Sequence, residues 1–288
     1  MSRKNIFQLV EENYDIQLEI KKINKLFNCE EYFQEGVIYY SLKELVETHL
    51  FSNWRYKGTC LDLDEYFTRA NATILKSGDT EEDNIINFLE VVENFIKLYF
   101  DNSMDLYNEY EIKYFNEFKT VFSELIKTLE KRMGLTKREY KDHVIIYPEN
   151  APLEIVVDLF EDEDVQWELI RYVREDLSLS EKRKVLAYLA TNLYIEEDSN
   201  EQDEHLKAVI KKAGNILNNL HIRHNNKTGK WENVVLDEIS DEDAISLCDM
   251  VYHEMLIIVL LRENKKYDDI YDSFKLKQKT SKNSRKTT

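Results

Sequence analysis

The sequence predicts an all-α protein: a multi-helix bundle in two helical layers or subdomains, with at most a small β element near 143–147. Three observations carry that expectation. Glycine (6) and proline (2) are scarce in 288 residues, and β-hairpins draw on such residues at their turns. Apolar residues recur three and four positions apart through most of the chain, the period of a helix with one buried face. Several of these stretches begin with Ser or Thr and an acidic residue three positions later, which satisfies the free N–H groups of a helix start.

Taken in order, Ile6, Leu9, Val10, Leu18, Ile20, Ile23 and Phe27 predict a helix over about 5–27. Ser41-Leu-Lys-Glu44 caps a second, which carries Leu42, Leu45, Val46 and Leu50 towards Trp54. A further helix holds Tyr66, Phe67 and Ile74. Thr80-Glu-Glu-Asp83 caps one with Phe88, Val92, Phe95 and Tyr99, and a longer one follows from about Asp105 to Arg132, stopped by Gly134. His143-Val-Ile-Ile-Tyr147 is β-branched and short, the best strand candidate. Pro148 and Pro152 follow it and change the direction of the chain. Helices then follow over about 151–160 and 163–175, after the cap Ser178-Leu-Ser-Glu181, through Leu206 to Leu220, and from the cap Ser240-Asp-Glu-Asp243 to about Glu263.

This pattern divides the chain into an N-terminal helical domain, 1–147, and a C-terminal helical bundle, 148–266. Residues 267–288 read as a basic, disordered tail: from Lys275 onward there are six basic residues and no acidic one.

Acidic residues (56) outnumber Lys and Arg (39), a net charge of −17 that repels nucleic acid at long range. Binding RNA or a nucleotide therefore needs a local basic site. No uninterrupted apolar run of 18 residues is present, so no membrane span is expected. The N-terminus lacks the apolar core of a signal peptide. Cys29, Cys60 and Cys248 are odd in number and far apart, which suits reduced thiols in the cytoplasm. Six scattered glycines cannot build a phosphate-cradling loop, and no Gly-x-Ser-x-Gly, paired-Cys or kinase-like set occurs. No cofactor is expected.

The densest chemistry is His221-Ile-Arg-His-Asn-Asn226, at the end of a helical stretch. Arg223 offers a planar fork suited to phosphate. His224 and His221 titrate near neutrality and can move a proton in cleaving an RNA backbone. Asn225 and Asn226 can orient a substrate. The same residues are also good chemistry for closing a helix C-terminus. A metal would need a third ligand from Asp237 or His253, and no zinc pattern supports one. His253 lies four residues after Asp249, a spacing at which the carboxylate can hold the imidazole. It is read either as a substrate-binding group facing the motif or as an ordinary surface pair.

Weaker signals remain. Arg138 and His143 have an Arg-x4-His spacing. Trp54-Arg-Tyr-Lys57 mixes aromatic and basic groups that can clamp a nucleotide or bury a helix end. Residues 196–204 hold six carboxylates in nine positions, a solvated loop or a surface for a basic partner.

Trp167-Glu-Leu-Ile-Arg-Tyr172, Glu181-Lys-Arg-Lys184 leading into Leu186 and Leu189, and Leu217-Asn-Asn-Leu-His-Ile-Arg-His-Asn-Asn226 together resemble the HEPN class. The resemblance covers roughly 150–264. It implies a helical bundle of a bacterial phage-defence protein of the abortive-infection type, often a metal-independent ribonuclease and often a homodimer. The Arg-x4–6-His spacing of that class's ribonucleases is not kept, because His224 follows Arg223 directly. Two functions stand as expectations: a ribonuclease or RNA/phosphate sensor acting through 221–226, or a non-enzymatic interaction protein that binds a protein partner through an acidic surface.

Overall fold

The computed structural model describes residues 12–29, 33–35, 38–76, 78–103, 109–195, 203–220, 222 and 239–284. The chain divides into two compact units between Glu149 and Asn150. The fold is all-α with small β elements.

In unit 1, α1 (Ile16–Phe27) is followed by a hairpin of β1 (Phe33–Glu35) and β2 (Ile38–Tyr40). Then come the short α2 (Leu42–Leu45), wider and tighter turns over 46–57, and α3 (Leu63–Arg69). Two long helices, α4 (Glu82–Ser103) and α5 (Glu109–Met133), lead into a second antiparallel hairpin, β3 (Leu135–Tyr140) and β4 (His143–Pro148). The expected helix over 5–27 is interrupted at 13–15 among the described residues, and its positions 5–11 lie outside them. Asp15 caps α1, accepting from the Leu18 N–H at 3.1 Å, so the chain turns at Asp15 and Ile16 begins the helix. Ser41 and Glu44 form the expected capping box. Thr80 does not cap α4. Its hydroxyl accepts from the Leu75 N–H and its own N–H donates to Gln17, which ties the loop to α1.

The single strand expected at 143–147 is half of a six-pair hairpin. Its partner, Leu-Thr-Lys-Arg-Glu-Tyr, is too charged to read as a strand. The turn between them places Lys141 at φ +57° with no glycine to announce it. The outer edge of β4 is covered by α4. Asn94 donates to the Val144 carbonyl at 2.7 Å and accepts from its N–H at 2.8 Å, and Glu90 accepts from the Ile146 N–H at 2.7 Å. The core of the unit is aromatic: Phe27 contacts Phe67, Phe88 and Phe95, and Phe95 also meets Trp54 at 5.0 Å.

Unit 2 consists of α6 (Ala151–Asp158), α7 (Glu163–Arg174), α8 (Leu179–Asn192), α9 (Glu204–Asn219) and α10 (Asp241–Ser284). Each has a side-chain N-cap, from Asn150, Asp162, Ser178, Asp203 and Ser240 respectively. The central helix is α10, which packs on α6, α8 and α9. It buries Cys248, Val251, Tyr252, Met255 and Ile258.

One feature of α10 was not apparent in the sequence, and one expectation about it changes. Its Asp241–Tyr267 stretch contains an 18-residue window of mean hydropathy 1.8, long and apolar enough to cross a membrane. Asp249, His253 and Glu254 interrupt the window, which is why no unbroken apolar run appears in the sequence. In this fold its apolar side serves as core. The expected disordered tail from 267 is also corrected, because the helix continues to Ser284. No glycine or proline falls between 241 and 284 to stop it, and Lys275 lies 4.3 Å from the Tyr271 ring one turn back.

Candidate functional site

The seam between α7, α8 and α10 gathers the polar groups of unit 2. Oδ1 of Asp249 accepts from the Tyr172 hydroxyl at 2.9 Å and from Lys182 Nζ at 2.6 Å. Lys182 also lies 4.5 Å over the Tyr172 ring. Tyr172 stacks on Tyr252 at 4.2 Å, and the Tyr252 hydroxyl donates to the Leu169 carbonyl at 2.8 Å. Burial, then the neighbouring Asp249, push the Tyr172 phenol well above its ordinary range. It stays a donor at any pH near neutral. Burial likewise pushes the Cys248 thiol up to about 11, which keeps it protonated near neutral pH.

His253 is exposed, one turn beyond Asp249. Its Nδ1 lies 2.7 Å from the Asp249 backbone carbonyl. A carbonyl only accepts, so Nδ1 carries the hydrogen, and in the neutral ring Nε2 keeps its lone pair. This corrects the expected pairing. The backbone of Asp249, and not its carboxylate, orients the imidazole, because the carboxylate is occupied by Tyr172 and Lys182.

The arginines around the seam differ. Arg171 is held by Glu175 at 2.8 Å and Glu168 at 3.5 Å, and that contact with Glu175 raises its pKa. Arg174 lies 3.6 Å from Glu175 and 5.9 Å from the Trp167 ring centroid. Arg183, next to Lys182 on α8, forms no hydrogen bond or ion pair with any described residue, and its Nε is buried. It is close enough to Cys248 to draw that thiol's pKa down against the larger effect of burial. Lys182, Arg183, Tyr172 and Asp249 were not singled out as a site in the sequence. The available signal was three consecutive basic residues directly after the Ser178–Glu181 cap.

Of the expected stretch 221–226, only Ile222 is described. It is buried, 8% exposed, and its N–H donates to the Leu217 carbonyl at 2.9 Å. That bond closes the end of α9 and pins the start of the stretch to the helix that packs on α10. His221, Arg223, His224, Asn225 and Asn226 lie outside the described residues, as do Asp237 and most of the acidic run 196–204. Among the described residues no three His, Cys, Asp or Glu side chains converge as a metal site.

Unit 1 contains a cavity of about 250 Å³ beside Trp54-Arg-Tyr-Lys57, lined also by Asn94, Lys97, Asp101 and Asp142. Its charges are committed. Arg55 and the Tyr56 hydroxyl both meet Asp142. Lys97 is held by Glu139 at 2.7 Å and Asp101 at 3.3 Å, contacts that raise its pKa. Trp54 packs edge-on against Phe95 and Tyr66, and Lys57 donates to the Ser52 carbonyl. The aromatic–basic stretch thus clamps the β3–β4 hairpin to α4, with His143 4.8 Å from the Tyr56 ring. Arg138 and His143 sit on facing strands, Arg138 opposite Ile145 and His143 opposite Tyr140. The Arg-x4-His spacing therefore spans a hairpin turn and does not follow a helix.

Compared with family models, with curated proteins and with solved structures, the chain matches none.

Proposed function

We propose that unit 2 is the RNA- or phosphate-binding bundle of a phage-defence protein of the abortive-infection type, with metal-independent RNA cleavage as its activity. The observations that carry this are an uncommitted arginine on α8 and, on the helix it packs against, an oriented histidine. Arg183 has no described acid to neutralise it, and one turn past Asp249 the His253 Nε2 stands open to solvent. A guanidinium with no described acid beside it keeps its fork of donors for an anionic ligand, and phosphate fits that fork. The stretch 221–226 adds Arg223, His224 and His221, and its Ile222 anchor ties that stretch to the end of α9.

The chemistry needs no metal. A ribose 2′-hydroxyl attacks the adjacent phosphorus while a neutral imidazole takes its proton. The P–O5′ bond breaks, the departing oxygen gains a proton from a second group, and a 2′,3′-cyclic phosphate remains. His224 and His253 suit the base and acid roles, His221 is their reserve, and Arg223 and Arg183 hold the phosphate oxygens. Asn225 and Asn226 orient the ribose or base.

Purified protein incubated with total tRNA, with and without chelator, tests the reading. Chelator-insensitive cleavage is expected. It should fall roughly 100-fold in Arg223→Ala and His224→Ala variants of unchanged helicity. A folded protein that shows neither cleavage nor RNA binding would overturn it. The net charge of −17 would then favour the second reading, a non-enzymatic protein whose acidic surface binds a basic protein partner.

A further inference from the structure

We infer that the C-terminal part of α10 is a two-stranded coiled-coil seam that pairs with the same helix of a second copy of this chain. The bundle holds α10 as far as Arg262, whose guanidinium donates to the Leu193 and Tyr194 carbonyls at 3.2 and 2.8 Å. The last buried residue before it is Val259. From Asn264 onward every side chain that is described is exposed, yet the helix runs on to Ser284. That extension is about 30 Å long. A helix of this length with no packed face is marginal in water, because most helical stability in proteins comes from burying one side.

The side available for burial is marked by spacing. Ile257, Leu260, Asn264, Tyr267, Tyr271 and Phe274 follow in steps of three and four, the a and d positions of a heptad. On the bundle Ile257 of this face is 42% exposed, and on the arm Tyr267 and Tyr271 are 62% and 55% exposed. A parallel, in-register partner is the occupant that matches this row. It sets Asn264 against Asn264, a polar pair at an a position that favours two strands and fixes register. It sets tyrosine against tyrosine in the following layers. An antiparallel partner centred on the tyrosines would place Leu260 against Gln278 and Ile257 against Ser281. RNA is a poor occupant of the same face, since Asp268, Asp269 and Asp272 surround the tyrosines in sequence and repel phosphate. The inference does not depend on the RNA reading above.

Light scattering after gel filtration of the full chain, freed of nucleic acid, should give twice the chain mass at micromolar concentration. The dimer should tighten with added salt, which screens the basic residues beyond Lys275 that parallel pairing brings together. Tyr267→Glu with Tyr271→Glu, both exposed in the single chain, should raise the dimer Kd roughly 100-fold without altering the thermal transition of the bundle. Asn264→Cys, in a Cys29→Ser background, should form an interchain disulfide on mild oxidation. A monomeric wild-type chain would overturn the inference, as would a dimer indifferent to the tyrosine changes or one that needs RNA.

Discussion

Arg55 in unit 1 stands in a cluster of aromatic and acidic side chains, Arg183 in unit 2 follows directly on Lys182 of such a cluster, and the two arginines meet opposite fates. Arg55 is bound to Asp142, which also holds the Tyr56 hydroxyl, and the adjoining Lys97 is shared between Glu139 and Asp101. At the seam of unit 2 the acids are taken by other groups, Asp249 by Tyr172 and Lys182 and Glu175 by Arg171, and Arg183 forms no ion pair with a described residue. The cluster richer in site-like residue types, Trp54-Arg-Tyr-Lys57, thus ends as a clamp on a hairpin. Residue type nominates a site, whereas the partners already taken decide whether any chemistry is left to perform.

The largest test of this contrast removes the frame of unit 1. Phe95 is fully buried among Phe27, Phe67 and Trp54. Phe95→Ala should cost about 3–5 kcal/mol of stability, from lost burial and the cavity left behind. Denaturant unfolding would measure it. If the activity belongs to unit 2, RNA cleavage per folded molecule should be unchanged at temperatures where the variant remains native. A parallel loss of activity in fully folded protein would place unit 1 in the site.

A smaller effect distinguishes the two arginines directly. Arg183→Ala should weaken RNA binding roughly tenfold, the value of one charge-assisted contact, and shift the thermal midpoint little. Arg55→Ala should leave RNA binding unchanged. It should cost under about 1 kcal/mol of stability, because the pair with Asp142 is well exposed to water. Equal effects of the two changes on RNA would erase the distinction drawn between the clusters.

The same contrast explains what could be read from the sequence. Helix existence was legible because it rests on local rules: apolar spacing, and caps such as Ser41–Glu44 and Ser178–Glu181, which form as written. The hairpin partner Leu135–Tyr140 was not, since its three charged residues pair with Glu93, Glu139's neighbour Lys97 and other groups that only the fold brings near. The continuation of α10 past 267 was missed for a related reason. Basic composition suggests disorder, while helix persistence depends on an absence of breakers and on a face to bury. On α10 the Asp249–His253 spacing was legible, but the group of Asp249 that meets the ring was not. Spacing alone cannot tell whether an aspartate offers its carboxylate or its backbone carbonyl. Lys182 and Arg183 come from a different helix, 60 or more residues away from Asp249, and no local pattern joins them.

Two carboxylates carry the comparison to pH, with opposite signs. In unit 1, Glu130 is 5% exposed, one of its oxygens has no described partner, and the other lies 3.5 Å from Lys137. Burial raises its pKa above the ordinary carboxylate range, against the pull of Lys137. A carboxyl raised in the folded state binds its proton more readily there than in the unfolded chain. The native protein therefore gains stability as pH falls from above the raised pKa towards the ordinary one. Glu130→Met should stabilise the protein by about 1 kcal/mol near neutral pH, and that advantage should shrink on acidification through this window. Thermal unfolding from neutral to mildly acid pH would show it, and an advantage that grows as pH falls would contradict the assignment.

In unit 2, Glu181 closes the cap of α8. Its carboxylate accepts from the Ser178 hydroxyl at 2.5 Å and from the Ser178 N–H at 3.0 Å. These bonds favour the charged form and hold its pKa below the ordinary carboxylate value. The contribution is therefore complete above the unfolded-state pKa and is lost as pH falls through the lowered folded one. Ser178→Ala removes the group that both receives the Glu181 N–H and donates to its carboxylate. It should cost about 0.5–1 kcal/mol at neutral pH, the smallest of these effects. The penalty should fade at acid pH, where the wild-type box has itself been broken by protonation. The Glu130 and Ser178 variants would then converge on the wild type from opposite sides as the solution is acidified. Divergence of the two curves would mean that burial in unit 1 and hydrogen bonding in unit 2 are not what separates their carboxylates.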